Sequence, residues 1–528
     1  MILAIAISSG MMSCSTNAVE DEPTPVSPES ETRTLNIRVV SNNFTRADGD
    51  VTDETIQTLY LAFYKGEETT PLYIKEASIG QDNSYSVEIP ANMAKMLDKV
   101  IAFANIKEEN KDKISDALNG STIDYVQNNG YLIMSSAVYF DNNATNTSKP
   151  IYSSPITYNE TAGNETIDIH LDRVASKITV NGDYLSITNP TVENSQNLSM
   201  EIIGWGLNFT DNKSYLMKHL PEPDGYYTTL ANLQRNMQTD FAYLPSEWNK
   251  SNFYTLSWAN SINYSNFSED KLDKIMLSQA KNALGSSLYA HESTRSITDV
   301  EEIKLKPSIV PSIVLVGQYT KANTPTGTTL YRLRYNDKDY IYTAEEYFKY
   351  LVDSQDFLYI KETDTPIKAT VAKLQEQLTL SNPLKSVAGI EIPDFYVSPQ
   401  LNNDQSTIFC DKMGKDYLIS DLNELLYAHA GLLEMYWHGQ CVFIEAIKHH
   451  QNTGCDMYGI VRNHSYTLNI QKIKGFGRGI ASDDSMITDE ELSDFPKSYQ
   501  ISIDTTEEIV NTWNDQKEQI VEIGNSKE

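Results

Sequence analysis

Cysteine is scarce in this chain. Four in 528 residues exclude a disulfide scaffold, and a chain of this length buries enough surface to need no covalent or metal staple. Basic residues are few as well: 42 Lys and Arg stand against 72 Asp and Glu, for a formal net charge of −30. Nucleic-acid phosphates demand a basic footprint, and anionic lipid surfaces demand a polybasic one, so both partners are excluded. Beyond the N-terminus no run approaches the ~20 apolar residues of a spanning helix. Phosphate loops, dinucleotide glycine fingerprints, HExxH and GxSxG are all missing. His291-Glu292 opens like a zinc-protease motif, but Arg295 follows where the second His is required. Gly475-Phe476-Gly477-Arg478-Gly479 follows a strand, and its acidic continuation reads as a flexible turn.

What is present favours β structure. The 32 tyrosines suit a pleated, half-buried surface. At ~150 residues per domain the length implies two to four domains. Residues 1–13 are mostly apolar and fit the core of a secretion signal. Met12-Ser13-Cys14-Ser15 then resembles a bacterial lipobox, in which the cysteine is lipidated and becomes the N-terminus. Met11 stands where Leu is usual, and no Lys or Arg precedes the apolar run. The polar, Pro-containing stretch over 14–33 cannot bury a core and predicts a disordered tether.

Period-two alternation dominates thereafter. Leu35, Ile37 and Val39 alternate with Asn36 and Arg38, the pattern of a half-buried strand. A turn-rich stretch containing Arg46, Asp48 and Gly49 follows. Further strands are expected over 56–64, 85–89, 99–105, 132–140, 167–171, 173–180, 202–207, 312–318, 331–342, 441–448, 466–473 and 499–503. Helices are expected over 108–118, 269–284, 344–353, 369–378 and 421–433. Many short strands between turn signals point to β-sandwiches, with a boundary near Leu171: a first domain over 34–171 and a second over 172–528.

Five of the eight histidines lie between His429 and His464, together with Cys441 and Cys455. Imidazole and thiolate can bind zinc, but no compact CxxC or HxxxH pair exists, and adjacent His449 and His450 would point to opposite faces of a strand. No metal site is assigned. A Cys441–Cys455 disulfide suits an exported protein and, closing a short loop, would add ~3 kcal/mol at most. Cys410 is left over, so the pairing stays open. Acidic residues are abundant, but that is the ordinary state of a solvated surface and assigns no hydrolytic carboxylate pair. From residues alone, this is an exported, anchored, strand-rich protein with no visible catalytic apparatus.

Several segments together resemble the fimbrillins of Bacteroidia, the pilins of type V pili, and among them the major subunits of short fimbriae. They are the lipobox, the alternating strand followed by Thr45-Arg46-Ala47-Asp48-Gly49, Arg173-Val-Ala-Ser-Lys-Ile-Thr-Val, Tyr458 to Ile470 with its Val461-Arg462-Asn463-His464 core, Lys472 to Gly477, and Tyr499 to Ile503 followed by Trp513. The family often has Pro before the C-terminal Trp; here Thr512 precedes it. Residues 218–299 match no family segment.

The resemblance implies two transthyretin-like β-sandwich domains, with several helices inserted in the second. It implies lipidation at Cys14 and cleavage by an arginine-specific protease between Arg46 and Ala47. It further implies removal of the strand carrying Leu35, Ile37 and Val39, and polymerisation through a donor strand near 496–528. The donor candidates are Tyr499, Ile501 and Ile503, with Ile509, Val510, Ile520 and Ile523. The implied partners are other copies of the chain, accessory fimbrial subunits and the processing protease. Membrane contact would run only through the lipid before maturation, and the implied location is the outer membrane and surface fimbrium. No cofactor, metal or catalytic residue is implied. A tip or anchor subunit is the alternative role. A surface glycan-binding lipoprotein is the alternative of another class, with Trp205, Trp248, Trp258 and Trp437 as candidate sugar platforms, although Trp is more often core.

Overall fold

The computed structural model describes residues 32–39, 55–80, 84–141, 153–156, 165–183, 185–194, 198–219, 241–243, 253–256, 259–264, 266–295, 307–361, 365–382, 392–402, 409–449, 458–488, 499–509 and 521–523. They fold into a mainly β structure of several sheets. The first strands are β1 (Thr32–Val39), β2 (Leu59–Tyr64), β3 (Tyr85–Pro90), β4 (Lys99–Ala104), β5 (Met134–Ser136), β6 (Glu165–Ile169) and β7 (Leu171–Arg173). One sheet has the order β6-β1-β3 and ends on Ser78–Ile79; the other has the order β7-β5-β4-β2 and ends on Tyr73–Glu76.

The two sheets enclose one core. Leu35 and Ile37 from β1, Tyr85, Val87 and Ile89 from β3, and Leu59, Leu61 and Phe63 from β2 meet there. The other face of β2 is apolar too, because a second layer covers it. Tyr60, Ala62 and Tyr64 pack with Ile114 and Ala117 from the turns over 108–119, and with Leu216, Met217 and Ala259 from much later in the chain. That is why the Leu-Tyr-Leu-Ala-Phe-Tyr run does not alternate.

The chain then builds β8 (Ala175–Asn181), β9 (Leu198–Asn208), β10 (Ser287–His291) and β11 (Ser312–Lys321). Next come β12 (Leu330–Tyr335), β13 (Lys338–Tyr342), α1 (Ala344–Ser354), α2 (Val371–Gln377), α3 (Ile419–Ala430) and β14 (Leu433–Tyr436), then β15 (Gln440–Ala446), β16 (His464–Gly475) and β17 (Tyr499–Ile509). One sheet runs β10-β8-β16-β17 and ends on Val521–Ile523, while a second runs β9-β11-β15. Ile178, Val180, Trp205, Leu315, Tyr319, Phe443, Tyr466, Leu468 and Ile470 fill the space between these two sheets. The outer face of β11 and β15 is covered in turn by Leu272, Leu277, Ile480 and Ile487.

β11 and β15 pair directly, from Ser312 opposite Ala446 to Gln318 opposite Gln440. Everything from 322 to 439 is therefore an excursion from the end of one hairpin, and it carries its own core. Leu333, Tyr347, Phe348, Leu351, Leu374, Leu422, Leu426 and Leu433 pack together there. α1 starts at a reciprocal cap, with the Thr343 hydroxyl accepting from the Glu346 backbone N–H and the Glu346 carboxylate accepting from the Thr343 N–H at 2.7 Å. α3 buries Leu422, Leu426 and Ala430, one stripe at helical spacing, and stops at Gly431, whose φ is +81°.

Two expected helices are corrected. Residues 269–284 form a 3₁₀ turn at Glu269–Lys271, a short strand Leu272–Asp273 paired with Thr210–Asp211, and a second turn at Leu277–Gln279. The apolar side chains of this segment lie flat over the β9-β11-β15 sheet, and tertiary contact overrides helix propensity. Its backbone comes so close that a Cβ on Gly204 would stand 2.5 Å from the Ala280 carbonyl oxygen. Residues 108–118 form 3₁₀ rather than α turns, at Glu108–Ile114 and Ala117–Asn119.

The separate core of the excursion generates a prediction. Leu351 and Leu426 are fully buried in it, so Leu351→Ala should destabilise that unit by about 2–5 kcal/mol. Hydrogen exchange should accelerate over 330–436 and stay unchanged in β1, β2 and β3; acceleration spread evenly over the chain would contradict an independent core.

Candidate functional site: the first strand and the polar junction

β1 lies inside its sheet, with a neighbour on each side. It runs parallel to β6, pairing Ile37 with Ile167, Arg38 with Asp168 and Val39 with Ile169. It runs antiparallel to β3, pairing Leu35 with Val87 and Ile37 with Tyr85. Leu35 and Ile37 are buried and Val39 is half-buried against the same core, while Asn36 is half-exposed and Arg38 exposed. On the outer face the Arg38 guanidinium grips Asp168 with two bonds, Nε to Oδ1 at 2.7 Å and Nη2 to Oδ2 at 2.6 Å. Taking β1 away would leave a gap one strand wide, with an unpaired edge of β6 on one side and of β3 on the other. Such a gap is an acceptor for another strand.

The second arrangement is buried and charged. Val461-Arg462-Asn463-His464 leads into β16 at the place where β7, β8 and β10 converge. Arg462 donates from Nε to Glu292 Oε2 at 2.9 Å and from Nη2 to the Tyr215 carbonyl at 2.8 Å. Both members of that ion pair are essentially without solvent exposure. Asn463 sits at φ +62°. Its side chain donates to Asp172 Oδ1 at 3.1 Å and accepts from the Arg173 backbone N–H at 3.2 Å. Lys218 pairs with the other oxygen of Asp172, and Arg295 pairs with Asp211 at 2.7 Å. His291 bonds the Ser214 hydroxyl at 2.9 Å. The network thus ties the β7 end of the first pair of sheets to β8, β10 and β16 of the second. It also explains the near-motif at His291-Glu292: the Glu is a structural counter-ion.

Cys14, Arg46, Ala47, Trp248, Trp258, Cys455 and Trp513 lie outside the described residues. The backbone carrying Tyr499, Ile501 and Ile503 is β17, paired with β16 along its whole length. The Cys441–Cys455 disulfide is corrected: Cys441 is a free, fully buried thiol. It points between the two sheets against Tyr319, and burial pushes its pKa up. A Cβ at Gly317 or Gly477 would come within 2.9 or 2.7 Å of its sulfur, so no second sulfur fits there. The Gly475 to Gly479 run is likewise no flexible turn. Gly477 lets the backbone pass over Cys441 and Phe443, Gly479 lies against the Met435 carbonyl, and Phe476 carries the Arg332 guanidinium 4.1 Å above its ring.

Among the described residues, no group of three or more His, Cys, Asp or Glu is placed to hold a metal ion. His449 and His464 pack edge to face at 5.5 Å beside Tyr466, and His438 stacks on Trp437. Trp205 is fully buried and donates to the Ala283 carbonyl at 2.9 Å, which removes it as a sugar platform. Asp168, Asp172 and Lys218 were not found from sequence, and Glu292 and Arg295 drew notice only as a failed zinc-protease motif. An isolated charged residue in an alternating run carries no mark of the partner that folding brings to it.

No family model matches the chain, and no curated protein matches it. Among solved structures it aligns with fimbrilins and putative cell adhesion proteins from Bacteroidia. A putative cell adhesion protein from Parabacteroides distasonis aligns over 91% of this chain and 99% of its own, at 12% identity and a TM-score of 0.35. A fimbrilin from Porphyromonas gingivalis W83 aligns over 90% and 98%, at 11% identity and 0.35. The tip fimbrial protein of Porphyromonas gingivalis aligns over 90% and 99%, at 10% identity and 0.28.

Two predictions follow from the polar junction and the histidine at the end of β6. Arg462→Ala leaves Glu292 buried without its counter-ion and should cost about 3–5 kcal/mol, whereas Arg462→Met combined with Glu292→Met should cost clearly less; urea unfolding of the three chains distinguishes them. The pH dependence has a definite sign. Burial pulls His170 down to about 3, with the Arg38 charge adding to the shift, and burial pulls His291 down to about 4. The unfolded chain, at ~6.5 for each His, takes up the proton first. Stability is therefore whole above ~6.5 and falls by about 1.4 kcal/mol per pH unit per histidine until the folded values are reached. His170→Asn should make the decline between pH 6.5 and 4 shallower; an unchanged slope would show that His170 is not held neutral.

Proposed function

We propose that this chain is a non-enzymatic structural subunit of a surface fimbrium, exported as a lipoprotein on Cys14 and matured by cleavage between Arg46 and Ala47. It then polymerises by strand exchange, with transthyretin-like sandwiches as its two structural halves. The observation that carries this reading is the position of β1. It fills the middle of a sheet, it contributes Leu35 and Ile37 to the core, and it lies N-terminal to Arg46. One cut after Arg46 severs it from the rest of the chain.

The energetics support the sequence of events. While β1 is in place the apolar groove is filled and the sheet edges are paired, so the precursor stays monomeric. Once β1 leaves, each Leu, Ile or Val that refills the groove contributes ~1.5–3 kcal/mol, and the β3 and β6 edges regain their ladder bonds. A head-to-tail contact of this kind does not close, so it extends into a filament. The proposed donor is the C-terminal segment with Tyr499, Ile501 and Ile503, taken from a copy of the chain or an accessory subunit. To donate, it must give up its ladder with β16. The proposed partners are thus other fimbrial subunits and an arginine-specific protease, and the proposed location is the outer membrane and then the fimbrium. The excursion over 322–439 favours a second reading, a tip subunit, because it adds a separate core at the end of one hairpin without altering the acceptor sheet.

Arg46→Ala should leave protein that keeps β1 and elutes as a monomer, while the parent chain forms fibres visible by negative-stain microscopy. Fibres whose subunits still begin at Cys14 would overturn the proposal. Cys14→Ala should abolish palmitate labelling and move the precursor out of the membrane fraction; undiminished labelling would remove the lipoprotein step.

A further inference from the structure

We infer that Asp168 keys the gap left by β1 to a donor strand bearing a basic side chain, so that a strand from an accessory subunit that carries one outcompetes the chain's own C-terminal strand where both are present. The inference rests on the strand-exchange reading above and narrows it.

The outer rim of the gap is acidic and polar. Register places Glu88 and Ser86 of β3 opposite Thr34 and Asn36, and Thr166 and Asp168 of β6 opposite Asn36 and Arg38. Glu88 is exposed and β1 supplies the guanidinium that Asp168 holds by two bonds. When β1 leaves, that cation leaves with it. A new strand in the same register meets Asp168 through the residue between its second and third inward side chains.

The chain's own C-terminal strand lacks the key. Laid into the gap in the direction of β1, Tyr499, Ile501 and Ile503 take the places of Leu35, Ile37 and Val39, and Ser502 falls opposite Asp168. A shift by two residues puts Asp504 there instead. Laid in the reverse direction, the same three apolar residues fit, but Gln500 meets Asp168 and Asp504 meets Glu88. No placement brings a cation, and two bring carboxylate against carboxylate. The apolar alternation admits this strand, while the rim disfavours it.

The test uses the full chain with a site for a sequence-specific protease introduced within 40–54. After cutting, β1 is released in mild denaturant and fluorescent peptides are added: the Thr32–Val39 sequence, the same peptide with Arg38→Glu, and the Tyr499–Ile509 sequence. Fluorescence anisotropy reads binding. The parent peptide should bind roughly three- to tenfold more tightly than the Arg38→Glu peptide at low salt, as a partly exposed bidentate pair allows, and the gap should narrow at 0.5 M salt. The 499–509 peptide should bind more weakly than the parent. Asp168→Lys in the protein should reverse the order of the Arg and Glu peptides. Equal binding of those two, or no reversal, would overturn the key and leave strand exchange standing. A 499–509 peptide as tight as the parent would overturn the preference for an accessory subunit's strand. Failure of every peptide to enter would overturn both the key and the strand-exchange reading.

Discussion

The Arg462–Glu292 ion pair is the constraint on which the rest of the architecture leans. It is dry, and a dry charge tolerates very few geometries. Arg462 can keep its counter-ion only if the end of β10 is adjacent, and the Tyr215 carbonyl only if residues 214–218 lie against the first pair of sheets. Asn463 extends the demand to Asp172 and Arg173. A buried charged network of this kind adds little net stability, but it penalises every alternative arrangement of the strands that meet there.

Around that fixed point the cores are layered. β2 and β11 are each apolar on both faces because each has a packed layer on either side. Close packing then sets where glycine is required: Gly204, Gly317, Gly477 and Gly479 stand where backbone or a sulfur passes within contact distance of the missing Cβ. β1 differs from these interior strands. Its outer face is polar, and one ion pair fixes its register from outside.

Sequence reading succeeded where the physics is local. Alternation in Leu35-Asn36-Ile37-Arg38-Val39 and Tyr85-Ser86-Val87-Glu88-Ile89 identifies strands and their inward faces without any knowledge of neighbours. The helices at 344–354 and 419–430 announce themselves by a cap or an apolar stripe. It failed where a distant element decides. Residues 269–284 form turns and a short strand in place of a helix because a sheet lies beneath them, Cys441 is unpaired because two glycines bring backbone against it, and the Gly475 to Gly479 run is packed for the same reason. The Val461 to His464 segment was distinctive as a string of residues, yet its role as a charged hub depends on Asp172, Lys218 and Glu292, whose positions only the fold reveals. Asp168 was missed likewise, being 130 positions away from Arg38.

That separation also governs when β1 can join its sheet. Its antiparallel partner β3 lies some fifty residues on, but its parallel partner β6 lies 130 positions away. The loop-closure entropy of the distant contact must be met before the ladder rewards it. The strand that emerges first therefore has both of its edges paired only after residues 165–169 have been made. For a newly made chain this is an interval of vulnerability, in which exposed apolar surface invites capture by any other extended segment. A tethered strand held at high effective concentration shortens that interval.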